Sequence, residues 1–97
     1  MSFFNEYFTI LNESIKSLDH TQLVNAADKL KEVSKNGNKV ILAGNGGSAA
    51  MASHVTVDLT KAAGIRSINF NESDLLTCFA NDYGYEHVFD KAFEFYG

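Results

Sequence analysis

The sequence predicts an α/β fold with a parallel sheet, and three observations lead to this prediction. Two short apolar runs rich in β-branched residues, at 39–43 and 65–70, are each followed by a segment with helical patterning. The first run ends in a glycine-rich turn that leads directly into a helix. Strands that alternate with helices imply a parallel sheet. The length of 97 residues and the apolar fraction of 45% suit one small domain or part of a larger one.

Two amphipathic helices are predicted before the first strand. Residues 3–18 carry apolar side chains at steps of three and four, and residues 21–35 form a second helix with Asp19 or Thr21 as its N-cap. The apolar stripe of the first helix consists of Phe3, Phe4, Tyr7, Phe8, Leu11, Ile15 and Leu18. Because a terminal amphipathic helix must bury its apolar face, this stripe packs either in the domain's own core or against another subunit.

Five further elements follow in chain order. They are a strand at 39–43, a helix from Ser48 to about Ala62 with Ser48 as its N-cap, a strand at 65–70, and helices at 73–82 and 85–96. Two parallel strands are fewer than a fully covered parallel sheet needs. The chain also ends in apolar residues, so we expect that it represents roughly half of a domain.

Composition excludes several classes of protein. The net charge of −4 argues against general nucleic-acid binding, and no apolar run approaches the length of a membrane-spanning helix. The first residues lack the basic region of a signal peptide. The single cysteine, Cys78, lies in an apolar segment and is predicted to be a buried, inert thiol. These features favour the cytoplasm and predict neither a nucleic-acid nor a membrane partner.

The glycine-rich turn at residues 44–49 is predicted to bind a phosphate. Glycine lets a ligand approach the backbone N–H groups, and the start of the following helix carries a partial positive charge. The pattern Gly44-x-Gly46-x-x-Ala49 also fits a dinucleotide-binding fingerprint, with Glu72 as the ribose-binding acid. A simple tight turn is the less favoured alternative, because three glycines in four positions exceed what a turn requires.

His54 and Asp58 lie four residues apart on the helix that follows this turn. Residues at that spacing share one face, so the pair could hold a metal ion or act on one reacting group. The helix rises about 9 Å from Ser48 to His54, which is the size of a sugar phosphate. The alternative is a surface pair that stabilises the helix by only about 0.2–0.5 kcal/mol.

A third polar feature is the segment 81–86, which contains Asn81 and Asp82 before a glycine. Such residues mark a helix end or turn, and they could also hold substrate hydroxyl groups. His20 and His87 have no evident partner and are predicted to face solvent.

Taken together, residues 44–50, His54 and residues 81–86 resemble the sugar isomerase (SIS) domain of bacterial phosphoheptose isomerases. The resemblance covers nearly the whole chain but only the first half of the family's domain. It implies an N-terminal helical hairpin at residues 1–36. The first half of an SIS-type doubly wound parallel sheet sandwich would follow at residues 37–97.

The family resemblance also implies an activity. Such enzymes convert sedoheptulose 7-phosphate to D-glycero-D-manno-heptose 7-phosphate, the first step towards activated heptose for lipopolysaccharide or capsule. They are cytoplasmic homotetramers, commonly with zinc, and the N-terminal helices would form the subunit contacts. One zinc ion is expected in each active site, with glutamine and histidine ligands from the second half of the domain. The present chain alone would then be inactive.

The resemblance assigns roles to individual residues. The substrate-contacting positions would be Asn45, Gly46, Gly47, Ser48, Asp58, Asn81 and Asp82, with Ser48 in the phosphate-binding turn. His54 and Asp58 would be both the catalytic residues and the zinc ligands present in this chain. Asp58 would act as the base, while zinc held partly by His54 would polarise the carbonyl oxygen.

Two positions depart from the family pattern. Asp58 stands where the family usually has glutamate, which shortens the reach by about 1.3–1.5 Å. Met51 stands where the family often has aspartate. These departures keep a second hypothesis open, in which the chain is a non-catalytic SIS-type module that binds a sugar phosphate or the replication initiator protein.

Overall fold

The computed structural model describes residues 2–97, and its elements follow the predicted order of helix, helix, strand, helix, strand, helix, helix. Their bounds are α1 Phe3–Lys16, α2 His20–Lys35, β1 Val40–Leu42, α3 Gly47–Val57, β2 Ser67–Asn69, α4 Ser73–Tyr83 and α5 Val88–Tyr96. Among these helices, none is both long enough and apolar enough to cross a membrane.

The two strands form the parallel sheet that the sequence predicts. β1 pairs with β2 in the register that places Ile41 opposite Ile68, and α3 forms the crossover between them. Each strand has three residues, fewer than the apolar runs suggest, because only the central part of each run pairs. The carboxyl end of β1 therefore leads directly into the turn before α3.

The start of α3 differs from the prediction. Its N-cap is Gly46 with a φ of +62°, and no side chain caps the helix. The predicted N-cap, Ser48, instead lies within the first turn. The physical reason is that the chain needs a left-handed conformation to turn from the strand into the helix, and glycine adopts it at low cost. The helix therefore begins one residue earlier than Ser48.

The ends of two predicted helices also depart from regular α-helix. After Val57, α3 continues as a π-helical segment, Asp58–Ala62. The predicted helix to about Ala62 is therefore continuous, but its hydrogen-bond pattern changes from α to π after Val57. The predicted helix at 85–96 begins instead with a 3₁₀ turn, Tyr85–His87, and becomes α5 only at Val88. The left-handed Gly84, with a φ of +92°, separates this turn from α4.

The core of the chain lies where α3 and α5 meet the sheet. Its buried apolar residues are Ala52, Ile65, Phe70, Val88 and Ala92. The ring of Phe70 packs edge-on against Phe93, with the ring centroids 5.2 Å apart. A second aromatic contact joins Phe79 of α4 to Phe95 of α5. This packing holds the two C-terminal helices together beside the strands.

The N-terminal helices lie outside this core. Asp19 caps α2 by accepting the Thr21 N–H at 2.9 Å, which selects Asp19 from the two predicted caps. Neither α1 nor α2 contains a buried residue. The radius of gyration is 17.4 Å, against about 12.5 Å for a compact chain of this length. Within residues 2–97, therefore, nothing buries the aromatic stripe of α1.

Candidate functional site

The glycine-rich turn is built from glycines with different roles. A Cβ atom at Gly44 would lie 2.3 Å from the carbonyl oxygen of Ser48, so only glycine lets the end of β1 lie against the first turn of α3. Gly46 supplies the left-handed conformation described above. A Cβ at Gly47 would meet nothing within 4 Å. The backbone geometry thus explains why residues 44 and 46 are glycines. At Gly47 the missing side chain leaves open space in front of the helix start.

The side chain of Ser48 closes this turn. Its Oγ accepts the backbone N–H of Asn45 at 2.8 Å and donates to the backbone carbonyl of Asn45 at 2.9 Å. The hydrogen bond from the Ala50 N–H to the Gly46 carbonyl begins the helical pattern. The N–H groups of Gly47 and Ser48 precede it and have no intrahelical acceptor. With the partial positive charge of the helix start, they form a site that suits an anion.

His54 and Asp58 meet on α3 as their spacing predicts. Nε2 of His54 lies 3.6 Å from Oδ1 of Asp58, and the two side chains are 79% and 62% exposed. Two ligands of a tetrahedral zinc ion with bonds of about 2.0–2.1 Å lie about 3.3–3.4 Å apart, so the pair fits two positions of such a site. Within residues 2–97, no cluster of three His, Cys, Asp or Glu side chains could hold a metal. Further ligands would have to come from elsewhere.

Asp58 lies at the change from α-helix to π-helix. Its backbone carbonyl accepts the N–H of Ala63 at 3.2 Å, the longer-range bond that a π-helical turn requires. The next turn closes through the N–H of Ile65 and the carbonyl of Leu59 at 2.9 Å. Such turns are rare and occur frequently at functional sites. The sequence pattern, which continues smoothly to Ala62, contains no signal for it.

A polar network that the sequence analysis missed attaches α3 to the carboxyl end of β2. Nδ2 of Asn71 donates to the Ala49 carbonyl at 2.8 Å and to Oγ of Ser53 at 2.6 Å. Nδ2 of Asn69 donates to Oγ1 of Thr56 at 3.0 Å. The available signal was the presence of Ser53 and Thr56 three residues apart in a helix that is mainly apolar.

This network fixes the rotation of α3 about its axis. Oγ of Ser67 adds a bond to the Thr56 carbonyl at 2.8 Å and lies 2.7 Å from Oγ1 of Thr60. Each residue of an α-helix is rotated about 100° from the one before it. Because the network holds one face of the helix against β2, His54 and Asp58 are left on a solvent-facing side, where both are exposed.

Asn81 and Asp82 lie in the last turn of α4 and contact each other. Nδ2 of Asn81 donates to Oδ1 of Asp82 at 3.1 Å, and Sγ of Cys78 lies 3.4 Å from Oδ2 of Asp82. In the part of the chain that the structure describes, no hydrogen bond or ion pair joins Asn81 or Asp82 to His54, to Asp58 or to the turn at 44–48. The structure therefore presents them as a separate polar pair.

Cys78 is exposed, so the prediction of a buried thiol is wrong. Cys78 lies one helical turn before Asp82 and on the same face, whereas Phe79 faces the aromatic contacts of α5. The hydrogen bond to Asp82 raises the pKa of the Cys78 thiol, and the negative charge of that carboxylate raises it further.

Tyr85 connects the segment 81–86 to the glycine-rich turn. Its hydroxyl donates to Oδ1 of Asn45 at 2.5 Å, across 40 residues of sequence. Beside this contact lies a cavity of about 210 Å³ lined by Asn45, Tyr85, Glu86, Val88 and Phe89. The sequence analysis grouped the turn with this segment but did not identify Tyr85 as the connecting residue.

The structure also shows the environments of Glu72, His87 and His20. Oε2 of Glu72 accepts the N–H of Leu75 at 2.8 Å and caps α4, so the acid required by the dinucleotide alternative is already engaged. His87 is half-exposed but has a partner, because its Nδ1 lies 3.3 Å from Oδ2 of Asp90. His20 is exposed in the first turn of α2, as predicted.

Comparisons with known proteins agree with this architecture. A sequence model described as "SIS domain" matches residues 2–91. The phosphoheptose isomerase of Aneurinibacillus thermoaerophilus is 44% identical over 71 residues, which cover 67% of this chain and 36% of that protein. That of Chlorobaculum parvum is 34% identical over 94% of this chain and 47% of its own length.

A solved structure shows the same fold. The phosphoheptose isomerase GmhA from Neisseria gonorrhoeae superposes with a TM-score of 0.81 at 33% identity, over 97% of this chain and 51% of that one. The chain thus spans about a third to a half of the length of the relatives that it matches.

Proposed function

The chain belongs to the SIS domain family, and from that premise we propose that it contributes the substrate-binding and metal-binding residues of a sugar-phosphate isomerase. One observation carries the proposal. The His54–Asp58 pair lies on the same helix that begins at the glycine-rich turn, with its imidazole and carboxylate 3.6 Å apart. An anion site and an acid–base pair on one helix match the two ends of a phosphorylated sugar.

The proposed reaction is the conversion of sedoheptulose 7-phosphate to D-glycero-D-manno-heptose 7-phosphate, serving heptose synthesis for lipopolysaccharide or capsule. The name of the relatives, phosphoheptose isomerase, supports this substrate class. The N–H groups of Gly47 and Ser48 would hold the phosphate, and Asn45 would contact the substrate beside Gly46. Fixing the phosphate in this way sets the position of the sugar and lowers the entropic part of the barrier.

The proposed chemistry is a proton transfer between adjacent carbons. Asp58 would take the proton from C1 of the ketose and return it to C2 of the enediol, while a second proton passes from the oxygen on C1 to the oxygen on C2. Together these transfers move the carbonyl group from C2 to C1. His54 and Asp58 would also contribute two ligands to a zinc ion. When bound, zinc would polarise the oxygens attached to these carbons. Asn81 and Asp82 would bind substrate hydroxyl groups.

We also propose that the stripe of α1 packs against other subunits in a homotetramer. The side chains of Phe4 and Phe8 are 67% and 60% exposed, and such an aromatic surface needs a covering partner. The proposed compartment is the cytoplasm, where a free thiol such as Cys78 is maintained.

The second hypothesis is a non-catalytic SIS-type module that binds a sugar phosphate or a replication initiator protein. Asp58 favours it, because its carboxylate is about 1.3–1.5 Å closer to the backbone than that of the family's glutamate. A displacement of about 1 Å can lower the rate by two orders of magnitude. Binding through the glycine-rich turn would not require that reach.

The experiment that separates these hypotheses uses the intact protein as its gene encodes it. The protein is incubated with sedoheptulose 7-phosphate in the presence of zinc, after chelation, and after zinc is restored. The proposal predicts turnover that is lost on chelation and recovered with zinc. Binding of the sugar phosphate without turnover in native protein, with turnover gained by Asp58→Glu, would establish the non-catalytic hypothesis. Absence of sugar-phosphate binding would contradict the isomerase proposal and would leave, of the second hypothesis, only the module that binds a replication initiator protein.

A further inference from the structure

The contact between Tyr85 and Asn45 has a consequence for the glycine-rich turn. Tyr85 follows the left-handed Gly84 and begins a 3₁₀ turn, in which the N–H of His87 bonds to the Gly84 carbonyl at 3.0 Å. This backbone path directs the phenol towards the turn before α3. There its hydroxyl donates to Oδ1 of Asn45 in a short hydrogen bond.

In the structure the Asn45 amide is oriented with its Oδ1 towards the Tyr85 hydroxyl. With Oδ1 facing the Tyr85 hydroxyl, the two hydrogens of Nδ2 lie at the opposite end of the planar amide group. Among residues 2–97, no hydrogen bond takes up these two donors. A rotated amide would instead present an acceptor oxygen, which repels the oxygen atoms of a phosphate or carboxylate. In the orientation that the structure shows, the Asn45 amide accepts from Tyr85 and presents its two donors at the turn.

We infer that Tyr85 is a positioning residue, which holds the Asn45 amide so that its Nδ2 donors face an oxygen of the bound sugar phosphate. The inference rests on the proposed function, because it requires that Asn45 contacts the substrate. Tyr85 acts through Asn45 and is not itself a catalytic residue. The ligand oxygen belongs to either the phosphate or a sugar hydroxyl, since both accept from an amide.

The expected effect is moderate and concentrated in binding. Tyr85 is 65% exposed, so water can replace its hydroxyl and the fold tolerates its removal. Without that bond the amide samples both orientations, and only one offers donors to the ligand. Tyr85→Phe should weaken sugar-phosphate binding by about three- to ten-fold, as expected for the loss of one oriented neutral hydrogen bond. The kcat should change much less than KM.

A matched control lies two residues away. Tyr83 is 42% exposed, and its ring contacts Phe79 and lies 4.9 Å from Nζ of Lys91. Its hydroxyl makes no hydrogen bond in the described part of the chain. Tyr83→Phe removes the same atom from the same segment and should leave binding within about two-fold of the native value.

The experiment measures the dissociation constants of sedoheptulose 7-phosphate and inorganic phosphate by calorimetry for the intact protein, Tyr85→Phe, Tyr83→Phe and Asn45→Ala. The Asn45 side-chain amide signal is followed by ¹⁵N NMR. The inference is supported if Tyr85→Phe binds more weakly and shifts the amide signal while Tyr83→Phe does neither. Weaker binding of both probes assigns the ligand oxygen to the phosphate, and weaker binding of the sugar phosphate alone assigns it to a hydroxyl.

The outcomes separate this inference from the function on which it rests. If Asn45→Ala weakens binding while Tyr85→Phe changes neither the dissociation constant nor the amide signal, the positioning role of Tyr85 is wrong and the substrate contact stands. If Asn45→Ala leaves binding unchanged, the substrate contact proposed for Asn45 fails, and the positioning role fails with it.

Discussion

The N-terminal helices and the β1–α3–β2 unit have the same kind of helical sequence pattern but differ in the side-chain contacts that orient their helices. In α1, the side-chain hydrogen bonds are local, such as the one from Thr9 to the Asn5 carbonyl at 2.8 Å. In the β1–α3–β2 unit they span long separations, such as the one from Asn71 to Ser53 across 18 residues. Helical spacing predicted a helix in both regions. Among residues 2–97, only the second region contains contacts that fix how its helix is oriented.

This difference shows what positions a functional side chain. The orientation of α3 is determined inside the chain by its polar contacts with β2, so His54 and Asp58 have a defined setting. The aromatic stripe of α1 has no covering surface among residues 2–97, so contacts within these residues do not determine its environment. Substitutions should therefore affect folding in one region and assembly in the other.

The largest effect is expected at Gly44. In Gly44→Ala the new Cβ would lie 2.3 Å from the Ser48 carbonyl oxygen, and backbone atoms must move to relieve the clash. We expect a loss of about 3 kcal/mol or more in the free energy of unfolding, measured by urea denaturation. Gly47→Ala is the control, since its Cβ meets nothing within 4 Å, and it should change stability by no more than about 1 kcal/mol. Equal effects of the two variants would contradict the close approach at Gly44.

The second effect concerns assembly through α1. The double variant Phe4→Ser with Phe8→Ser removes two rings that are 67% and 60% exposed in the chain. Burying such rings in an interface contributes up to about 1–2 kcal/mol each, so the proposed tetramer should dissociate at micromolar concentration in light scattering after gel filtration. Glu13→Ser, also on α1, is the control and should keep the native mass. An unchanged mass for the double variant would place the subunit contacts elsewhere.

A third, smaller effect is expected from the polar network. Asn71→Ala removes the bonds to Ala49 and Ser53 and leaves their oxygens without that donor. The free energy of unfolding should fall by about 1–3 kcal/mol. The control, Asn38→Ala, alters an exposed side chain and should stay within about 0.5 kcal/mol. If Asn71→Ala matches this control, the network does not secure α3.

The smallest effect tests α4, where the contact between Cys78 and Asp82 is as local as those of α1. Asp82 raises the pKa of the thiol, so less thiolate is present near pH 8 than for an ordinary cysteine. Asp82→Asn removes the charge and should lower that pKa, which accelerates alkylation by iodoacetamide about two- to five-fold. Asp74→Asn, in the first turn of α4, should leave the rate unchanged. Slower alkylation of Asp82→Asn would contradict the assignment that Asp82 raises the pKa of the Cys78 thiol.

The sequence was informative wherever the governing interaction is local. The order of elements, the Asp19 cap and the meeting of His54 with Asp58 all follow from helical spacing and capping chemistry. The helix start at Gly47 was misplaced because Ser48 has a good capping side chain, while the need for a left-handed turn at Gly46 depends on the direction of β1.

Longer-range contacts could not be obtained in the same way. The exposure of Cys78 depends on which face of α4 meets α5, and the bond between Tyr85 and Asn45 joins residues 40 positions apart. Periodicity carries no information about such pairings. The Asn71–Ser53 contact likewise requires the strand register, which a single sequence does not specify.

The measurement that tests the central claim most directly compares turnover and binding in Asp58→Asn, using the intact protein with zinc. If the glycine-rich turn holds the phosphate and Asp58 moves the proton, kcat should fall by about 10²–10⁴-fold while the dissociation constant of sedoheptulose 7-phosphate stays within about three-fold. The control Asp58→Glu restores a carboxylate and should retain turnover. Loss of binding together with turnover in Asp58→Asn would show that the glycine-rich turn does not hold the ligand independently of Asp58 and would contradict the account.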